Sequence, residues 1–404
     1  MSAIRQHLID PEVCIRCNTC EENCPVEGAI EHNEDNYVVN ADICNSCMNC
    51  IAPCPTGAID TWFTVAKPYS LDDQYSWDEL PDEQEIEDSD GDGTEGSGDD
   101  DASKLFEAAH QATGLVPAPK SAETPHVGLW TREKPAIAKV TGNYRITEQD
   151  VESDIHHIVL DFGQQAFPYL EGQSIGIIPP GLDDRGKAHT MRLYSIASAR
   201  DGERPGYNNL SLTVKRVVYE VDGETRNGIG SNFMCDLEKG QDVQVIGPFG
   251  STFLMPNDPD ANIVMICTGT GAAPFRGMTE RRLRAQSKGS GKMVLFFGAR
   301  TPGELPYFGP LQKVPASVLD QELVFSRTGG SEAKEYVQDR IRTRAADVSV
   351  LLSDSKTHVY ICGLKGMEDG VEEAFADSCA DAGFDWNELR SVMREEGRYH
   401  VETY

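Results

Sequence analysis

Between Pro135 and Pro256 short strand-like runs of apolar and polar positions alternate with glycine and proline turns. Such runs bounded by turn residues mark β-strands. Six are predicted: Ile137 to Val140, Ile155 to Asp161, Ser174 to Ile178, Arg192 to Ala197, Leu210 to Val217 and Val243 to Ile246. Six strands joined by short turns predict an antiparallel β-barrel. After Ala261 the pattern changes to strand, glycine turn, helix. Ile263 to Cys267 is continuously apolar, Thr268-Gly269-Thr270-Gly271 is the turn, and Ala272 to Ala285 reads as a helix. Further strands at Met293 to Phe297, Leu323 to Phe325 and His358 to Ile361 alternate with helices near Ala333 to Arg344 and Val371 to Asp381. This predicts a doubly wound parallel sheet, with ligands at the carboxyl ends of its strands.

The amino-terminal 68 residues follow a different rule. Eight of the chain's twelve cysteines lie between Cys14 and Cys54. Cys14, Cys17, Cys20 and Cys24 precede Pro25; Cys44, Cys47, Cys50 and Cys54 precede Pro55; and Gly28-Ala29-Ile30 is echoed by Gly57-Ala58-Ile59. Closely spaced thiolates on a tight loop can take three corners of an iron–sulfur cubane while a distant fourth closes it. Zinc also takes four thiolates, but two complete runs with following prolines disfavour it. The duplication resembles bacterial ferredoxins with two 4Fe-4S clusters. That resemblance implies that Cys14, Cys17, Cys20 and Cys54 hold one cluster and Cys44, Cys47, Cys50 and Cys24 the other.

Charge separates this module from the rest. Of a formal net charge of −30, fifteen Asp or Glu and no Lys or Arg fall within residues 72 to 101. From Ser70 to about Ala122 low hydrophobicity and like charge predict an extended tether. Asp90-Gly91-Asp92-Gly93 lacks the register of a calcium loop, Tyr75, Trp77 and Leu80 are candidates to dock on a neighbour, and Leu105 to Gln111 could form a short helix. The acidic balance weighs against nucleic-acid binding, which needs clustered Lys and Arg. No apolar run reaches about 18 residues and Met1 to His7 lacks a signal core, so a cytoplasmic protein without a membrane span is expected. The expected domains are 1–68 (two-cluster ferredoxin), 69–122 (acidic linker), 123–258 (FAD-binding barrel) and 259–404 (NADP-binding). The expected fold class is multidomain, α+β and α/β.

In Arg192 to Ser198, alternation puts Leu193, Ser195 and Ala197 on one face and Arg192, Tyr194, Ile196 and Ser198 on the other. An arginine can pair with a pyrophosphate, a tyrosine can stack on a planar ring and a hydroxyl can bond a ring nitrogen. An ordinary barrel strand would show the same alternation. With Leu212-Thr213-Val214-Lys215-Arg216, the glycine turn, Cys362-Gly363-Leu364-Lys365-Gly366-Met367 and the final Val401-Glu402-Thr403-Tyr404, however, it resembles plant-type ferredoxin–NADP reductases over roughly residues 125 to 404.

The resemblance implies FAD in the barrel. Arg192 would meet the pyrophosphate, Leu193 flank it, Tyr194 stack on the isoalloxazine and Ser195 bond near its reactive nitrogen. Thr213, Val214 and Lys215 would continue along the cofactor and Tyr219 would cover the adenine. Gly228-Ile229-Gly230-Ser231-Asn232 matches the family's phosphate-contacting helix start, where backbone N–H groups favour an anion; the plant enzymes have a cysteine where this chain has Gly230. Thr270, Gly363 and Leu364 belong to the nucleotide end. Ser326, Arg327, Lys334 and Tyr336 follow a strand, and cationic and hydroxyl partners there suit a 2′-phosphate, whereas an NAD ribose prefers an acid; NADPH is therefore expected ahead of NADH. Cys362 stands where the family has a cysteine near the nicotinamide, Tyr404 where an aromatic residue covers the flavin, and Glu402 and Ser195 would aid the hydride step. Cys235, Cys267 and Cys379 read as structural thiols.

Nicotinamide gives electrons in pairs, clusters accept them singly, and a flavin does both. The implied sequence is NADPH to FAD, to the two clusters, to an outside acceptor. The fused arrangement resembles reductase components of two-component oxygenases, implying a di-iron oxygenase as partner. Two alternatives use the same residues: a fused ferredoxin–NADP reductase that forms NADPH, and a non-enzymatic electron-carrier subunit of a larger redox complex.

Overall fold

The computed structural model describes residues 4–81 and 125–403, apart from 12–13, 15–18, 23, 34, 52–53, 55–57, 60–61, 78–79, 183–185, 222–223, 286–288 and 328–333. The expectations for Cys17, Asp90 to Gly93, Leu105 to Gln111 and Tyr404 lie outside the described residues. Two compact units result, the first holding the amino-terminal residues with Arg204–Asn208 and Gly309–Val314, the second the remainder.

In the first unit β1 (Ile4–His7) and β2 (Ile30–His32) pair antiparallel with later strands, β2 with β3 (Tyr37–Val39) and β1 with β4 (Trp62–Val65). The sequence repeat is a repeat of burial: Ala29 and Ile30 from one copy and Ala58 and Ile59 from the other are all buried, and Ile30, Ala58 and Ile59 form one core with Ile9, Tyr37, Val39 and Ile51 that also takes in Cys20, Cys50 and Cys54.

The expected boundary after Pro68 falls inside folded chain. Ser70 caps a helix at Leu71–Tyr75, with its hydroxyl accepting from the Asp73 N–H and the Asp73 carboxylate accepting from the Ser70 N–H. Gln74, buried, then fills both backbone positions of Val39: its Oε1 accepts from Val39 N at 3.0 Å and its Nε2 donates to Val39 O at 2.9 Å. Asn36 Nδ2 donates to the Trp77 carbonyl at 2.7 Å, and Gln6 Oε1 accepts from Tyr69 N at 2.8 Å. The acidic composition hid this clamp because its anchors are amides, which carry neither charge nor apolar period.

The second unit opens with β5 (Ala136–Arg145), β6 (Ile155–Asp161), β7 (Ser174–Ile177), β8 (Arg192–Ser195) and β9 (Asn209–Lys215). An exposed hairpin, β10 (Val218–Val221) and β11 (Glu224–Asn227), follows, then a helix at Ile229–Cys235 and β12 (Asp242–Phe249). The six long strands form one antiparallel sheet ordered β8-β7-β12-β5-β6-β9. A bridge from Ile196 to Leu212 and the bond from Ala197 N to Ser211 O, 2.8 Å, join its two edges into a barrel. Leu160, Ile175, Leu210, Leu212 and Val245 are among the inward residues filling it. The hairpin was not expected: it is exposed throughout and shows no apolar period.

The remainder is parallel. Strands β13 (Asn262–Thr268), β14 (Met293–Ala299), β15 (Asp320–Phe325), β16 (Thr357–Gly363) and β17 (Tyr399–Thr403) pair in the order β15-β14-β13-β16-β17. Helices at Ala272–Arg284, Val337–Thr343, Ala345–Ser353 and Met367–Ala382 cover it, and chain order reverses between β13 and β16. The fifth strand was missed because Tyr399 to Thr403 is short and mixed in polarity. Among the described residues no helix is long and apolar enough to cross a membrane.

Candidate functional site

Cys24, Cys44, Cys47 and Cys50, the set expected for the second cluster, line one cavity whose other walls include His7, Ala29, Ile30 and Val39. The loop that aims three of them needs unusual backbone: Ser46 and Met48, on either side of Cys47, hold left-handed φ of 54° and 61°. Such conformations persist in non-glycine residues where the surroundings dictate them. Burial, with the neighbouring Cys44, Cys47 and Cys24, pushes the Cys50 thiol up to about 12; cluster iron binds the thiolate and would override that. Cys14, Cys20 and Cys54, the described members of the other set, share the unit's core. No three of the described His, Cys, Asp or Glu side chains converge on a point that one ion would occupy. Four cysteines lining one cavity would be able to hold a 4Fe-4S cluster, which takes four thiolates.

In the second unit, the barrel strand β8 presents Arg192 and Leu193 exposed, with Tyr194 and Ser195 half-buried. Tyr194 packs against the barrel core, which pushes its phenol up to about 12. A Cβ on Gly230 would stand 2.8 Å from Arg192 Cγ and 3.1 Å from the Tyr194 hydroxyl. The helix start and β8 therefore meet, and the glycine makes room for the arginine. The Arg192 guanidinium bonds the Thr190 hydroxyl and carbonyl. The Ser231 hydroxyl is engaged with Val217 N at 3.1 Å and Gly228 O at 3.2 Å, so what it offers an anion is its backbone. Ile229 and Tyr219 are exposed, as is Lys215. Thr213 and Val214 are buried instead: Val214 belongs to the barrel core, and Thr213 Oγ1 bonds the Tyr307 hydroxyl at 2.8 Å. Any contact of theirs with a cofactor runs through backbone.

At the reversal of strand order, the turn after β13 lies against the end of β16. A Cβ on Gly271 would come within 2.2 Å of Cys362 O, and one on Gly363, at φ +150°, within 2.7 Å of Thr268 Oγ1. Only glycine allows that approach. Thr270 lies in the turn, and Leu364 is exposed beside Gly363. Register places Cys267, Cys362 and Glu402 side by side on β13, β16 and β17. Burial pushes the Cys362 thiol up to about 12 and the Glu402 carboxyl up to about 7. Sequence reasoning missed Thr268, whose buried hydroxyl has no hydrogen-bond partner. A buried orphan hydroxyl at a strand's carboxyl end fits a ligand-facing group, and its signal was its place at the head of the glycine turn. Next along the sheet, Ser326 N bonds Ala299 O at 3.0 Å and Arg327 N bonds Arg300 O at 2.7 Å, bringing the ends of β14 and β15 together. Arg327, Lys334 and Tyr336 are exposed there.

A barrel whose strand and helix start converge on an anion cradle, beside a parallel sheet with a glycine-walled switch point, defines a two-lobe flavin and nicotinamide nucleotide reductase, here with an iron–sulfur module on the same chain. Residues 265–373 match the oxidoreductase NAD-binding domain and residues 6–55 the 4Fe-4S dicluster domain. The ferredoxin–NADP reductase of Synechocystis sp. is 37% identical over 320 residues, 77% of this chain and 78% of that protein. The cyanelle enzyme of Cyanophora paradoxa is 39% identical over 298 residues, 72% of this chain and 82% of its own. Among solved structures, ferredoxin–NADP+ reductase from Plasmodium falciparum with 2′P-AMP superposes with a TM-score of 0.56 at 25% identity, covering 70% of this chain and 100% of that one. The chain belongs to the ferredoxin–NADP reductase family. It is a flavin reductase of that family with a 4Fe-4S dicluster domain, an oxidoreductase that transfers electrons from NAD(P)H.

Proposed function

We propose that the chain carries electrons from NADPH through FAD and two 4Fe-4S clusters to a di-iron oxygenase, that of benzoyl-CoA 2,3-epoxidation in aerobic benzoate breakdown. The observation that carries the internal route is the cavity lined by Cys24, Cys44, Cys47 and Cys50 in a chain that also contains both reductase lobes. The oxygenase rests on the likeness of the fused arrangement to that enzyme's reductase component. FAD supplies the conversion from paired to single electrons.

The residues divide the remaining work. Arg192 and the backbone of Gly230 and Ser231 hold the pyrophosphate, Tyr194 supports the ring system and Tyr219 covers the adenine. Arg327, Lys334, Ser326 and Tyr336 select the 2′-phosphate, a reading supported by the 2′P-AMP bound to the Plasmodium relative. Cys362, kept neutral by burial, walls the nicotinamide site without adding charge. Glu402, titrating near neutrality, holds or gives a proton there with Ser195, and Tyr404 guards the ring. The dicluster module is covalently linked and replaces a diffusing carrier, which raises its effective concentration at the flavin.

The relatives' names favour a second reading, electron flow toward NADP+. The complete set of flavin and nucleotide motifs argues against a carrier subunit without catalysis. The test is reconstitution: with the benzoyl-CoA oxygenase component, NADPH-driven benzoyl-CoA oxidation is expected, and its absence with a cluster-replete protein removes the oxygenase assignment.

A further inference from the structure

One cluster of titratable side chains in the second unit is enclosed and is used by none of the roles above. Glu203, in the loop from β8 to β9, is fully buried. Its Oε1 accepts from Arg276 Nη2 at 2.9 Å and lies 3.1 Å from His157 Nε2, while its Oε2 accepts from Arg276 Nη1 and from Ser211 Oγ, each at 2.7 Å. Arg276 also donates to Ala197 O at 3.0 Å. The guanidinium is the strongest of the influences that hold Glu203 ionised against its burial, and burial holds the His157 ring neutral.

A neutral ring beside a carboxylate has its one N–H on Nε2, so Nδ1 must accept. The Tyr307 hydroxyl lies 2.7 Å from Nδ1 and donates to it; the same oxygen accepts from Thr213 Oγ1 at 2.8 Å. The hydrogen bonds therefore run in one direction, Thr213 to Tyr307 to His157 to Glu203, with Arg276 closing the far end.

Tyr307 joins the two lobes. Its backbone is left-handed, with φ 61°, a conformation that a bulky residue keeps only where its surroundings dictate it. It ends the segment leaving β14, and that segment is tied to the barrel along its length: Arg300 Nη1 to Glu152 Oε2 at 2.7 Å, Glu148 N to Gly303 O at 3.0 Å, and Ser153 Oγ to Glu304 Oε2 at 2.6 Å. Thr213 sits on β9 between the core residues Leu212 and Val214. The Arg276 guanidinium lies over the Tyr307 ring, 5.2 Å from its centroid.

We propose that Tyr307 is a positioning residue for hydride transfer: its phenol, held by His157 and Thr213, fixes segment 300–308 of the nucleotide lobe against strand β9 of the flavin barrel. This rests on the reading that NADPH reduces bound FAD. Removing the phenol oxygen leaves the ring in place but strands His157 Nδ1 and Thr213 Oγ1 without their partner, so the seam loosens while each lobe keeps its own core.

The test uses the full chain, loaded with FAD and clusters, as wild type, Tyr307→Phe and Thr213→Val. Hydrogen–deuterium exchange is expected to quicken about tenfold in peptides covering 146–157 and 300–308, and to stay unchanged across β13, β14 and β16. Flavin reduction by NADPH is expected to slow about tenfold, with a larger primary isotope effect from deuterated NADPH but unchanged KM and FAD content. Thr213→Val is expected to change all three in the same direction, by less. A wild-type flavin that NADPH leaves oxidised overturns the functional reading and the positioning role with it. A wild type that is reduced, beside a Tyr307→Phe variant matching it in exchange, rate and isotope effect, overturns the positioning role alone. Exchange that quickens evenly over the whole second unit, with an unaltered isotope effect, marks a merely structural residue and overturns it equally.

Discussion

Gly271→Ala isolates the contact at the switch point. Gly271 sits at φ −60° and ψ −11°, which alanine adopts without strain, so backbone conformation contributes nothing to the effect. Space decides it. The new Cβ would stand 2.2 Å from Cys362 O and 2.6 Å from its carbonyl carbon, both backbone atoms of a central strand. Ordinary contacts lie at roughly 3.5 Å, so the turn must retreat by about 1 Å. Overpacking of that kind costs about 1–3 kcal/mol of stability, and a displacement of about 1 Å between reacting groups costs roughly a hundredfold in rate. Gly269→Ala is the matched control. A Cβ there meets nothing within 4 Å, and only its φ of +55° is unfavourable, at a cost of about 1 kcal/mol. Stopped-flow reduction of bound FAD by NADPH is the assay. Gly271→Ala should retain FAD, whose barrel is untouched, and lose roughly a hundredfold in reduction rate, whereas Gly269→Ala should stay within a few-fold of wild type. Equal rates in the two variants would refute the argument that this approach positions the nucleotide.

Gln74→Ala strands the N–H and C=O of Val39 in the core of the first unit, and should destabilise that unit by about 2 kcal/mol in denaturant unfolding. Glu402→Gln should abolish an inflection near pH 7 in the flavin reduction rate. The sign follows from the raised carboxyl: the fold favours the protonated acid, so stability falls as pH rises from the ordinary 4.5 to about 7, by up to roughly 3 kcal/mol, and the glutamine variant should lack that fall. Arg327→Ala should raise KM for NADPH about tenfold or more and leave KM for NADH unchanged, as steady-state kinetics with both donors will show. On the proposed ligand set, which gives one cluster Cys24 with Cys44, Cys47 and Cys50, Cys24→Ala should halve the bound iron and remove one reduced-cluster signal.

Elements with strong periods or rigid spacing were legible in the sequence. The six barrel strands are marked by strand-like runs between turns and the first four parallel strands by apolar runs, and all ten form where those patterns predict. The grouping of Cys24 with Cys44, Cys47 and Cys50, which line one cavity, came from the resemblance to bacterial ferredoxins and not from spacing alone. What escaped notice was written in single polar residues. Gln74 and Asn36 bind the start of the expected linker through amide hydrogen bonds that leave no mark on charge or hydropathy. β17 joins the sheet by backbone bonding and needs no apolar run. His157, Glu203, Arg276 and Tyr307 lie up to 150 residues apart in the chain, and no local spacing links them. Thr213 and Val214 read as cofactor contacts from their motif, but strand alternation gives Val214 to the barrel core and the Thr213 hydroxyl to Tyr307.

A continuous electron path in one polypeptide is tested most directly by an anaerobic NADPH titration of the cluster-replete protein. Flavin absorbance and low-temperature EPR are read on the same samples. The flavin is expected to bleach and reduced-cluster signals to appear as NADPH is added. Bleached flavin beside two clusters that stay oxidised would contradict outward flow and place the chain among enzymes that form NADPH.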